Sequence, residues 1–240
     1  MDSQGRQLHG EAAKARESGN FVEALKLLDQ ALIAYQEAGD KLGFSEAISD
    51  RSITLRHLSQ QTNDNDYLKL AESEMKAAIE IAQGSGNSEA LSIPLFNLAQ
   101  TQEDLGKYDE AIKNYQESIS KTSAGTPGAE ISSYSPAQNR PAYLANMKTH
   151  LAHAEYKNGN KKALEEMEQA IKDLENSEEP DFYSKNVWLS GSYMRTTDML
   201  KDDDPQKAKE YLQKAKEIID SDERLTLRKK QWEKLAASFN

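Results

Sequence analysis

Ser92 to Ser123 reads SIPLFNLAQTQEDLGKYDEAIKNYQESISKTS, and this stretch decides the fold. Leu95, Phe96, Leu98, Ala99 and Gln102 recur at helical spacing, and so do Tyr108, Ala111, Ile112, Tyr115, Ser118 and Ile119. Apolar residues three and four apart mark one face of a helix. The two runs are separated at Gly106, a residue that enters the left-handed conformation closing a helix at little steric cost. Ala99 and Ala111 are small where large residues would otherwise fill the stripe, as expected if two helix axes pass close, near the lower end of the roughly 8–10 Å packing range. The segment is a pair of antiparallel helices, A and B.

The B-helix pattern returns along the chain. It is carried by Phe21, Ala24, Leu28, Ala31 and Leu32; by Leu68, Ala71, Met75, Ala78 and Ile79; by Ala163, Met167, Ala170 and Ile171; and by Ala208, Leu212, Ala215 and Ile218. The alanine markers Ala24, Ala71, Ala111, Ala163 and Ala208 are 47, 40, 52 and 45 residues apart. Large–x–Asn–Leu–small on helix A, Gly-x-Tyr at the turn and Ala–x3–aromatic on helix B together resemble the tetratricopeptide repeat. The family's basic period is about 34 residues, so the longer spacing is nearer to long-period members of the kinesin light chain type. The resemblance implies an all-α, right-handed superhelical solenoid of about five antiparallel helix pairs over residues 1–240, with repeats at 5–39, 40–87, 88–123, 139–179 and 181–220. Leu225, Trp232, Leu235 and Phe239 then lie on one side of a capping helix at 222–239. Residues 122–138, rich in Ser, Gly, Pro and Thr, break the stripe and read as a flexible insert, or alternatively as a segment that contacts the groove or a partner.

Composition narrows the function. The net charge of −10 disfavours a nucleic-acid partner, because no Lys/Arg cluster exceeds Arg228-Lys229-Lys230. The absence of cysteine rules out disulfides and thiolate metal sites. The N-terminal residues lack an apolar signal core, and no run of about 18 apolar residues exists to span a membrane. A cytoplasmic, membrane-free protein is the expectation, with a monomer favoured. Gly84-Ser85-Gly86 lacks the Lys-Ser/Thr of a phosphate loop, and no Gly-x-Ser-x-Gly elbow is present. Asp64-Asn65-Asp66 and Asp202-Asp203-Asp204 lack the glycine and distal glutamate of a calcium loop, so turn chemistry explains them. His150 and His153 are spaced to share a metal, yet no third ligand is identifiable. No enzyme, cofactor or metal is expected.

The resemblance implies a protein or peptide ligand on the concave side, lined by the A helices. Asn97 matches the family's asparagine, whose amide can hydrogen-bond a peptide backbone. Gln100 and Asp104 project from the same face. Aligning the fourth copy on Leu151 and Ala152 adds Asn146, Thr149, His150, His153 and Lys157. The second copy offers Ser49, Ile53, Arg56 and His57, the first Arg6, His9 and Arg16, and the fifth Lys185, Asn186 and Ser190. The alternative for each is an ordinary solvated helix face. A carboxylate clamp of the chaperone-tail type is not supported, since Ala13 and Ile53 stand where polar groups are needed. The A segments sum to +1 and the B segments to −5, which makes the inner side the less acidic. A scaffold or adaptor is the reading; a structural subunit engaged through its convex face or ends, or a peptide-responsive regulator, are the alternatives.

Overall fold

The computed structural model describes residues 4–84, 88–124 and 140–239, and the described residues are helical with no strand. The chain divides into two compact units, Met1–Ala137 and Gln138–Asn240. The first holds α1 (Gln4–Glu17), α2 (Phe21–Ala38), α3 (Lys41–Thr62), α4 (Asp66–Gln83), a single 3₁₀ turn (Ser88–Leu91), α5 (Ser92–Asp104) and α6 (Tyr108–Ala124). The second holds α7 (Arg140–Lys157), α8 (Ala163–Glu175), α9 (Phe182–Leu200), α10 (Pro205–Ser221) and α11 (Thr226–Ala237). Odd-numbered helices α1 to α9 are A helices, and each packs on the B helix that follows it.

The expected stripe is the packed one. Ala24, Ala71, Ala111, Ala163 and Ala208 are all 0 % exposed. One turn later Leu28, Met75, Tyr115, Met167 and Leu212 are buried as well. A methyl-sized side chain at the crossing brings the axes together, and the larger residue on the next turn fills the space between them. Turns follow local chemistry. Gly106 has φ 73°, as the A-to-B reversal requires. Asp40 accepts from the Gly43 amide at 2.9 Å, and Asp181 accepts from Tyr183 and Ser184, capping α3 and α9. Asp204 does the same before Pro205.

Tyr35 of α2 lies against α1 and α3 where both carry glycine. A β-carbon added at Gly5 would come within 2.7 Å of its ring, and one at Gly43 within 2.4 Å. In the second unit Trp232 and Leu235 of α11, with Phe239 just after it, pack half-buried on a core that includes Met167, Tyr193, Met194 and Leu200. The Trp232 indole donates to the Leu212 carbonyl at 2.9 Å.

α3 runs to Thr62 and closes with Asn63 in the left-handed conformation. One detail differs from the sequence expectation. Thr122 to Ala124 continue α6, with Thr122 buried, because its side chain and that of Ser118 pack on Ser92. The rest of the proposed 122–138 insert lies outside the described residues.

Candidate protein interface

The A helices of each unit meet along a polar seam. In the first unit, Arg16 of α1 reaches Asp50 of α3 at 2.8 Å, and His9 lies 3.3 Å from the same carboxylate oxygen. His9 is 0 % and Asp50 1 % exposed. Burial by itself would push the Asp50 carboxyl up, but the Arg16 charge and the His9 hydrogen bond hold it well below the usual carboxylate range. One repeat further on, Arg56 of α3 donates to Asp104 at 2.9 Å and to Gln100 at 2.6 Å, both on α5.

In the second unit, Asp198 of α9 accepts from Lys157 at 2.9 Å and from Lys201 at 2.8 Å, with His153 Nε2 at 3.2 Å. Its partial burial opposes ionisation, yet these three neighbours hold it well below the usual carboxylate range. The same seam continues toward the start of the helices. Arg195 donates to the hydroxyls of Thr149 at 2.8 Å and Ser192 at 3.1 Å. Beyond them the rings of Tyr143 and Trp188 are 5.7 Å apart.

Most of the ligand-binding residues singled out on the third and fourth A helices, with Arg56, fall into three groups. Arg56, Gln100 and Asp104 come together, but as a bridge between successive repeats. His153 and Lys157 come together around Asp198 in the other unit. In these five the charged and amide groups are engaged inside the protein, between neighbouring A helices, so they are not a free set of ligand-binding groups. Asn97 and Asn146 form the third group. They are 5 % and 4 % exposed, and among the described residues neither side-chain amide makes a hydrogen bond. Both backbone carbonyls are engaged, by Thr101 and Thr149. His150 is half-buried on α7. Ser190, suggested for the fifth copy, is fully buried and bonds its own helix at Asn186, while Asn186 lies 3.4 Å from Asp222.

Asp50, Asp198 and Arg195 escaped the sequence reading. A usable signal existed for two of them: Val187 to Leu200 is a largely apolar or small run holding only Arg195 and Asp198 as charges. A carboxylate in such a run needs a cation from a neighbouring helix.

Paired helices with alanine at every A–B crossing define a tetratricopeptide-like helical repeat. The tetratricopeptide repeat family model matches residues 50–121, the second half of α3 through α6. The fold is also similar to solved structures of kinesin light chain-like repeats. Nearly identical tetratricopeptide-like repeats from a Podosopora anserina putative kinesin light chain share 16 % identity, cover 91 % of this chain and 97 % of theirs, and give a TM-score of 0.56. BtubC (BKLC) from P. vanneervenii shares 20 % identity over 90 % of this chain and 79 % of its own, with a TM-score of 0.61. A Rap protein complexed with competence and sporulation factor is similar at 12 % identity over 98 % of this chain and 64 % of its own, TM-score 0.61. No curated protein sequence matches the chain.

Proposed function

We propose that this protein is an adaptor that binds a segment of another protein along its A-helix faces. The observation that carries the reading is that Asn97 and Asn146, 5 % and 4 % exposed on A helices, make no side-chain hydrogen bond among the described residues. An amide left uncommitted by the fold has both a donor and an acceptor to give to a peptide backbone. The Rap protein of similar fold is solved with a bound factor, which supports the reading by analogy of fold alone. Among the described residues the most strongly shifted carboxylates, Asp50 and Asp198, are engaged by cations of adjacent helices rather than set up as a catalytic group.

The test is affinity purification from the native cell with mass spectrometry, followed by binding measurements on variants. Asn97→Ala and Asn146→Ala are expected to weaken the identified partner about tenfold or more, and Glu166→Lys on α8 to leave it unchanged. The reverse outcome favours a second reading, a subunit held in a complex through a B-helix face. That alternative has its own support in α2, where Val22 is 62 % and Ile33 59 % exposed. Eleven residues is close to three helical turns, so both lie on one face.

A further inference from the structure

On α2 the buried stripe is Ala24, Leu28, Ala31 and Tyr35. Two residues correspond to about 200° of helical turn, so Val22, Lys26, Asp29 and Ile33, each two places earlier, run along the opposite face. Val22 is 62 % and Ile33 59 % exposed, and the side chains of Lys26 and Asp29 are 67 % and 60 % exposed. The other B-helix repeats are polar at the places of Val22 and Ile33. They carry Lys69 and Glu80, Asp109 and Ser120, Lys161 and Lys172, and Gln206 and Glu217. Two large apolar residues kept in water on α2, where its counterparts are polar, mark a contact surface.

The order along the stripe is apolar, positive, negative, apolar, and that order is complementary to itself. The midpoint between Val22 and Ile33 is also the midpoint between Lys26 and Asp29. A second α2 laid antiparallel across that point brings Val22 onto the partner's Ile33 and Lys26 onto the partner's Asp29, each twice by symmetry. A parallel copy in register would set each charge against its like. Within the chain Lys26 lies 3.9 Å from Glu23, and Asp29 pairs with Arg51 of α3. Both pairs are at the surface, and an ammonium with three donors and a carboxylate with two oxygens can each take a second partner. Leu25 and Leu32, half-buried, border the stripe and widen its apolar area.

We infer that the outer face of α2 is a self-association surface, on which two copies of this chain pair through antiparallel α2 helices about a two-fold axis. The occupant is a second copy because the charge order fits itself under that one operation. This departs from the monomer expected from sequence, and it stands apart from the adaptor reading, since the α2 stripe shares no residue with the A-helix seams. One helix pair buries an area at the low end for specific association, so a dissociation constant on the order of 100 μM is expected. The Val22–Ile33 contacts supply the burial, and the two ion pairs fix register and direction more than affinity.

The test is sedimentation equilibrium of the full chain at low salt, from about 10 μM to about 1 mM, a range that brackets the expected constant. The weight-average mass is expected to rise from that of one chain toward that of two. Lys26→Glu alone and Asp29→Lys alone each set two like-charge pairs across the axis, and each is expected to weaken the dimer about tenfold or more. Both changes in one chain restore two opposite-charge pairs and are expected to restore the dimer. An equal mixture of the two single variants is expected to do the same. Val22→Ser with Ile33→Ser is expected to abolish association, and Lys113→Glu on α6 to leave it unchanged. Thermal melts establish that each variant is folded. A mass that stays at one chain throughout, single reversals that leave the dimer intact, or a double reversal that fails to restore it overturns the inference. Each of these leaves the adaptor reading in place, because that reading is tested at Asn97 and Asn146.

Discussion

Each unit ties neighbouring A helices together with an aspartate, but Asp50 and Asp198 sit in different surroundings. Asp50 is sealed, its side chain 2 % exposed, and it meets Arg16 and His9 with almost no water around them. Asp198 is 26 % exposed and collects two lysines and a histidine at the rim. A sealed pair contributes little over an apolar replacement yet is costly to break from one side. A rim cluster shares its charge with solvent and tolerates the loss of a member. Both carboxylates are held below the usual carboxylate range, and the sealed one is expected to matter more to the fold.

Asp50→Ala leaves the Arg16 cation buried without its carboxylate, and a loss of about 3–5 kcal/mol is expected by chemical denaturation. A loss no larger than that of Asp198→Ala would erase the contrast. Ala111→Leu and Ala163→Leu probe whether the units also differ in their packing. Both sites are 0 % exposed, so each substitution is expected to cost about 1–3 kcal/mol by overpacking, with similar falls in melting temperature.

Acid sharpens the same comparison. A carboxyl held below its ordinary range in the folded protein stabilises it above that range, and the contribution is lost as pH falls through it. Stability measured from about pH 6 to pH 3 is therefore expected to decline as unfolded-state carboxylates take up protons near pH 4. The Asp50→Asn variant is expected to start lower and decline less steeply. Asp198→Ala comes next, at about 1 kcal/mol, and Arg56→Ala is of the same order, since Asp104 is 28 % exposed. At the small end, Asp66→Asn removes an exposed pair with Lys69, and an unchanged melt is expected.

The B helices were legible because their signal is local. An alanine with a large apolar residue four positions later reports a crossing whatever the rest of the chain does, and all five alanine markers are fully buried. The A helices were legible as helices but not as surfaces. Arg56 and Asp104 are 48 residues apart, and nothing on either helix says that one completes the other. Read singly they look like ligand-binding groups; paired, they are part of the scaffold. Asn97 was found because its type and place on helix A match a known pattern.

The phenol ring between Gly5 and Gly43 has a consequence for how this sequence can change. Either glycine could acquire a methyl group only after the ring had given way, and a residue as small as alanine at position 35 would release Gly5, whereas Gly43 would still face the Asp40 carboxylate 2.8 Å away. Positions 5 and 35 are therefore coupled in order as well as in energy. A Gly5 substitution harmful on the present background is expected to be acceptable on a Tyr35→Ala background, and a scan of single variants would score as invariant a position that is only waiting on another.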